Sequence, residues 1–145
     1  MTKIEVTLTD DAFQFQGVNE RGNVVQMDVS PDQGGQGSGA GPMQLLLMGI
    51  GGCSGIDILS ILRKGRNQVD SFAASIEGDR AEGEVPSLYK DIRIHYALSG
   101  TDLDPEKVRR AIDLSLEKYC SVSKTLEATA AISYTFAVNE VEYAE

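Results

Sequence analysis

Between Asp32 and Asp57 the chain carries no charged side chain, a stretch of 24 residues that ends inside a strongly apolar run. That feature constrains the fold more than any other. Pro42 suits the first turn of a helix, and the apolar run from Leu45 to Leu62 continues into Arg63-Lys64-Gly65-Arg66. Cations favour the C-terminal end of a helix dipole and a glycine stops the helix, so one long helix is predicted from Pro42 to about Lys64. Met43 to Leu62 approaches the length of a membrane span. It also holds Gln44, Ser54, Asp57, Ser60 and four glycines, and the rest of the chain is patterned as amphipathic soluble structure. The run therefore reads as a buried central helix. A helix apolar on all sides has to be covered by protein around its whole circumference. In a chain of 145 residues, that cover calls for a second subunit.

The length fits one domain over residues 1–145, and no repeat or linker divides it. With 41% hydrophobic and 24% charged residues, a disordered or coiled-coil chain is excluded. Strands are predicted at 3–9, 12–16 and 23–29, with Asn19-Glu20-Arg21-Gly22-Asn23 as a turn before the third. Ser30 to Gly35 stops the sheet. Residues 34–41 read as a flexible glycine-rich loop, and without a following G-K-[ST] they make no phosphate cradle. After the helix, strands are predicted at about 69–79 and 88–99, with a polar loop at 82–86. In the second strand Ile92, Ile94, Tyr96 and Leu98 share one face, with Arg93, His95 and Ala97 opposite. Asp104-Pro105 starts a helix over about 105–118 with an inner stripe of Val108, Ala111, Ile112, Ser115 and Leu116. A short helix begins near Ser121 or Ser123. A last strand at 128–138 puts Ala130, Ile132, Tyr134, Phe136 and Val138 on one face. Strands and helices segregated in this way point to an α+β fold.

The net charge of −9 would oppose binding to nucleic acid or an anionic membrane. Met1 to Val6 alternates like a strand and has no signal-peptide core, so the expected compartment is the cytoplasm. Thiols stay reduced there, and a disulfide is more often catalytic than structural.

Two cysteines draw attention. Cys53 lies in Gly51-Gly52-Cys53-Ser54-Gly55, within the long helix. On a helical wheel Cys53, Asp57, Ser60 and Lys64 form the one polar seam of that helix. An inert buried thiol would look the same. Cys120 lies in Lys118-Tyr119-Cys120-Ser121-Val122-Ser123-Lys124, between two lysines and before a helix start, both of which favour a thiolate. The ordinary alternative is a thiol at the core's edge beside surface lysines. Read together, the two form a candidate redox couple, 67 positions apart. His95 is the lone histidine, and one histidine with two distant cysteines makes a poor metal set, so no metal or cofactor is expected. No Ser–His–acid arrangement can be read from spacing.

Gly41-Pro42-Met43-Gln44-Leu45, Gly51-Gly52-Cys53, Asp57 to Arg66, and Lys118-Tyr119-Cys120-Ser121-Val122 together resemble the OsmC/Ohr superfamily, nearest its YhfA-like branch. The resemblance runs from about residue 20 to the C-terminus. It implies an OsmC-like α+β fold in which two chains intertwine as a homodimer around their long central helices. It also implies thiol-dependent reduction of organic hydroperoxides. By that analogy Cys53 attacks the peroxide, Cys120 resolves it as a disulfide, and a dithiol such as a lipoyl group is the reductant. The peroxidases place a Glu nine positions before the first cysteine, where it holds an Arg against the thiol. This chain has Gln44 there, which cannot form a bidentate ion pair. No Arg occurs between Arg21 and Arg63, which leaves Arg21 as the N-terminal candidate. The alternative implied by these departures is a non-enzymatic dimeric domain of the same fold that binds a small apolar ligand.

Overall fold

The computed structural model describes residues 1–145. The chain forms two compact units, Met1–Leu46 and Leu47–Glu145.

The first unit is a three-stranded antiparallel sheet of β1 (Ile4–Leu8), β2 (Phe15–Asn19) and β3 (Val24–Met27) in sequential order. The predicted strand at 12–16 is displaced toward the C-terminus. The Asp10 carboxylate accepts the backbone N–H groups of Ala12 and Gln14, so residues 10–14 close a turn and pairing starts at Phe15. The turn at 19–23 forms as predicted, with Asn19 Oδ1 accepting from the N–H groups of Arg21 and Asn23 and Gly22 in the left-handed region.

Residues 34–41 form a loop, as expected, and it is tied to Asp28. Asp28, buried behind β3, accepts the Ser38 hydroxyl at 2.6 Å and the N–H groups of Val29, Gln36 and Ser38. The Ser38 hydroxyl, joined by those amides, holds the carboxyl down at about 2 against the opposing pull of burial. Gly35 lets the chain wrap closely around this carboxylate, and Gly39 packs against the Gln26–Met27 backbone. At Gly35 a Cβ would collide with the Val29 carbonyl and with Asp28.

Helix α1 (Pro42–Lys64) begins in the first unit and runs into the second. Gln44 Oε1 accepts the Gly41 N–H at 2.8 Å, which satisfies one orphan donor at the helix start. By length and composition α1 could cross a membrane. One of its stripes, Ile50, Ser54, Ile58 and Leu62, is buried within the chain at helical spacing.

The second unit holds a four-stranded sheet in the order β4 (Ser71–Arg80), β5 (Tyr89–Ser99), β6 (Ala131–Val138) and β7 (Val141–Ala144). β5 and β6 pair in parallel and the other pairs are antiparallel. A parallel pair needs a crossover, supplied here by α2 (Pro105–Leu114), a π turn (Ser115–Tyr119) and α3 (Ser121–Leu126). Asp104 caps α2 by accepting from the Glu106 N–H. Ile92, Ile94, Tyr96 and Leu98 are buried on one face of β5, and Tyr134, Phe136 and Val138 continue that layer on β6. α1 lies close against this layer, with Gly55 admitting the Phe72 ring.

Three boundaries depart from expectation. The helix predicted to 118 turns into the π segment at Ser115. The last strand starts at Ala131, because the N–H groups of Thr129 and Ala130 bond back to the Leu126 carbonyl. β7 has no counterpart in the sequence reading. It is joined to β6 by Asn139 and Glu140, both with positive φ, in a two-residue hairpin lacking the usual glycine.

Candidate functional site

The site is built from α1 and the crossover. Cys53 and Asp57 are one helical turn apart on α1 and project on the same side. Cys120 is the residue between the π turn and α3. A Cys120 N–H bond to the Ser115 carbonyl at 2.7 Å closes the wide π turn and ends it in an extended residue. Cys120 then caps α3, its sulfur accepting the Ser123 N–H at 3.3 Å. The Ser123 hydroxyl bonds the Cys120 and Leu116 carbonyls and fixes the junction from inside.

The outcome is a three-residue cluster. The sulfurs of Cys53 and Cys120 and a carboxylate oxygen of Asp57 all lie within 4.8 Å of one another. Both cysteines are free thiols. The Ser115 hydroxyl donates to Asp57 Oδ2 at 2.9 Å and fixes the carboxylate. Beneath them, Tyr96 donates to Ser54 Oγ at 2.8 Å and Ser54 to the Ile50 carbonyl at 2.7 Å, which anchors this turn of α1 to the sheet.

The electrostatics of Cys120 run against the sequence reading. Burial pushes its thiol up, the Ser123 amide pulls it down, and the neighbouring Cys53 sulfur adds to the rise. The flanking lysines supply no stabilisation. Lys118 lies over the Tyr119 ring and Lys124 pairs with Glu127 at 3.1 Å. Cys120 is fully buried and Cys53 is half-buried, so Cys53 is the thiol open to an approaching molecule.

Of the polar seam read from the helical wheel, Cys53 and Asp57 enter the cluster, while Ser60 and Lys64 are exposed further along α1. Arg21 is exposed in the β2–β3 turn. His95 faces away from the core layer, with Nδ1 on the Thr135 hydroxyl and Nε2 3.5 Å from Glu142. Sequence spacing did not assign Asp57 and Ser115 to a site. The available signal was Asp57 itself, the one charge between residues 33 and 62.

Residues 35–135 match the family described as OsmC-like protein. The chain belongs to the OsmC family. Protein YhfA of Escherichia coli K12 is 40% identical over 129 residues, spanning 88% of this chain and 92% of YhfA. Among solved structures, a hypothetical protein of Aquifex aeolicus superposes with a TM-score of 0.82 at 30% identity, covering 96% of each chain. An organic hydroperoxide resistance protein of Elizabethkingia anophelis superposes with a TM-score of 0.71 over 94% of this chain and 96% of its own. At 14% identity that last likeness speaks for the OsmC fold alone.

Proposed function

We propose that this OsmC-family chain reduces organic hydroperoxides through a Cys53–Cys120 thiol couple and works as a cytoplasmic homodimer. The observation that carries the reading is the approach of the two sulfurs to within 4.8 Å from positions 67 residues apart. A disulfide needs Cα atoms about 4.4–6.8 Å apart, which small movements of a resting pair at this separation can supply. The half-buried Cys53 sulfur is the attacking group. Its thiolate takes the terminal peroxide oxygen, the O–O bond breaks, and the alkoxide leaves as an alcohol after taking a proton. The Cys120 thiol, whose ionisation burial disfavours and the Ser123 N–H assists, gives up its proton as its sulfur attacks the Cys53 sulfenic sulfur; the disulfide forms and the sulfenic hydroxyl leaves with that proton as water. A dithiol, of lipoyl type by analogy with the family, returns both thiols and is itself oxidised to a disulfide. Hydroperoxide resistance in the names of relatives from Legionella pneumophila and Elizabethkingia anophelis agrees with this chemistry.

One observation favours a second reading, a non-enzymatic dimeric domain that binds a small apolar ligand. Gln44 stands where the peroxidases have Glu, and its side-chain oxygen is taken up by the Gly41 N–H. Intact-mass analysis after substoichiometric organic hydroperoxide separates the two. The peroxidase reading expects a loss of about 2 Da per chain as two thiols become one disulfide. It also expects no turnover in Cys53→Ser, and a sulfenic acid trapped at Cys53 in Cys120→Ser. Unchanged mass, or unchanged turnover in Cys53→Ser, leaves the ligand-binding reading.

A further inference from the structure

We propose that Cys53, Asp57 and Cys120 form a binding site for a thiophilic divalent cation, with zinc as the fitting ion. Two sulfurs and one carboxylate oxygen are the donor set that zinc takes, and here all three lie within 4.8 Å of one another. Zinc–sulfur bonds of about 2.3 Å place two tetrahedral ligands about 3.7 Å apart, so side-chain rotation of roughly 1 Å closes the cluster on an ion. Cys53 and Asp57 are held at i and i+4 on one rigid helix, and Cys120 is held by the cap of another.

The bonds around these groups are those a metal site uses. The Ser115 hydroxyl orients Asp57, and the Ser123 N–H points at the Cys120 sulfur, a donor that stabilises a metal-bound thiolate. The cluster's own groups are acidic, and the nearest lysines in sequence to Cys120 are engaged elsewhere, Lys118 with Tyr119 and Lys124 with Glu127. A bound cation would supply the missing positive charge. Cys53 is half-buried, so an ion would reach the cluster from its side, and a water would complete the four-coordinate shell. Binding replaces the two thiol protons, which pass to solvent, and changes no oxidation state.

Zinc and a disulfide exclude each other at these sulfurs. On the peroxidase reading, which this consequence alone rests on, bound zinc keeps Cys53 from hydroperoxide and acts as a reversible inhibitor. The binding itself stands apart from that reading.

The test titrates the reduced full-length protein anaerobically with Co²⁺, then displaces it with Zn²⁺. A sulfur-to-cobalt charge-transfer band saturating at one ion per chain, abolished by one equivalent of Zn²⁺, is the expected result. Cys53→Ser and Cys120→Ser should each lower zinc affinity about a hundredfold or more, and Asp57→Asn about tenfold or more. Ser115→Ala, which keeps all three ligands, should lower it by about tenfold. No charge-transfer band in the folded reduced protein, or full affinity in Asp57→Asn, overturns the site. A protein that binds zinc yet is inert to hydroperoxide keeps the site and sinks the peroxidase reading. One that forms the disulfide but binds no zinc does the reverse.

Discussion

A cysteine between two lysines at a helix start looks like a ready thiolate, yet Cys120 is held in the opposite state. The fold buries the sulfur completely and turns both ammonium groups toward other partners, so desolvation outweighs the helix cap. Sequence gives neighbours along the chain, and the direction of a lysine side chain is decided by which tertiary partner it finds. The consequence for stability has a definite sign. Because the folded-state pKa of Cys120 is raised, its contribution is fully present below the unfolded thiol's pKa of about 8.5 and is lost as pH rises toward the folded value. The reduced protein should therefore lose stability from about pH 8.5 upward. Cys120→Ala should flatten that slope between about pH 8.5 and 10, below the range where the buried Tyr96 and Tyr134, also raised by burial, add their own alkaline loss. Urea midpoints at stepped pH, wild type against variant, check this, and parallel slopes would count against it.

The elements were legible where one periodicity dominated. The long helix was readable because charge is missing from Gln33 to Ile56 and, after the single Asp57, resumes as a basic stop at Arg63 and Lys64. The core face of β5 was readable because Ile92, Ile94, Tyr96 and Leu98 alternate with Arg93, His95 and the small Ala97. The failures fell where side-chain or main-chain bonding overrides periodicity: Asp10 recruiting two amides, the π turn after Leu114, and a hairpin at Asn139-Glu140 without glycine. The site was half legible for the same reason. Both cysteines stood out as unusual, but their meeting depends on the π turn that resets the chain at Cys120. The bond between Tyr96 and Ser54 shows how element packing positions that chemistry, since it joins β5 to the α1 turn that carries Cys53. Removing a buried hydroxyl whose partner keeps a second bond costs about 1 kcal/mol. Tyr96→Phe should lower the unfolding free energy by about that amount. It should also slow hydroperoxide-driven disulfide formation, because the Cys53 turn is less firmly held. Wild-type stability and rate in Tyr96→Phe would detach the anchor from the site.

At the scale of the whole molecule, the unresolved demand is for cover. The buried stripe of α1 accounts for one side of the helix, yet Met48 and Ile56 on the same helix are 56% and 69% exposed. Gly52, between them in sequence, has no atom within 4 Å of where a Cβ would stand, so a second backbone can approach there closely. In the N-terminal unit Ile4, Val6, Leu8, Val24 and Val25 are exposed as well. Large apolar side chains left in water over so much of a small chain mark an interaction surface, and a net charge of −9 argues against nucleic acid as the partner. The homodimer proposed above would meet the demand, since an antiparallel crossing at Gly52 would bring the same apolar stripe of each α1 onto the other. The sharpest test is a charge placed where the chain's own core is untouched. Ile56→Glu puts a carboxylate on an exposed position, so it should leave the fold of the single chain intact while burying two like charges at a two-fold contact. Light scattering after gel filtration at micromolar concentration should give a dimer for the wild type and a monomer for Ile56→Glu, with helical circular dichroism retained. A wild-type monomer, or a dimer undisturbed by that charge, would assign the exposed face of α1 to a different partner.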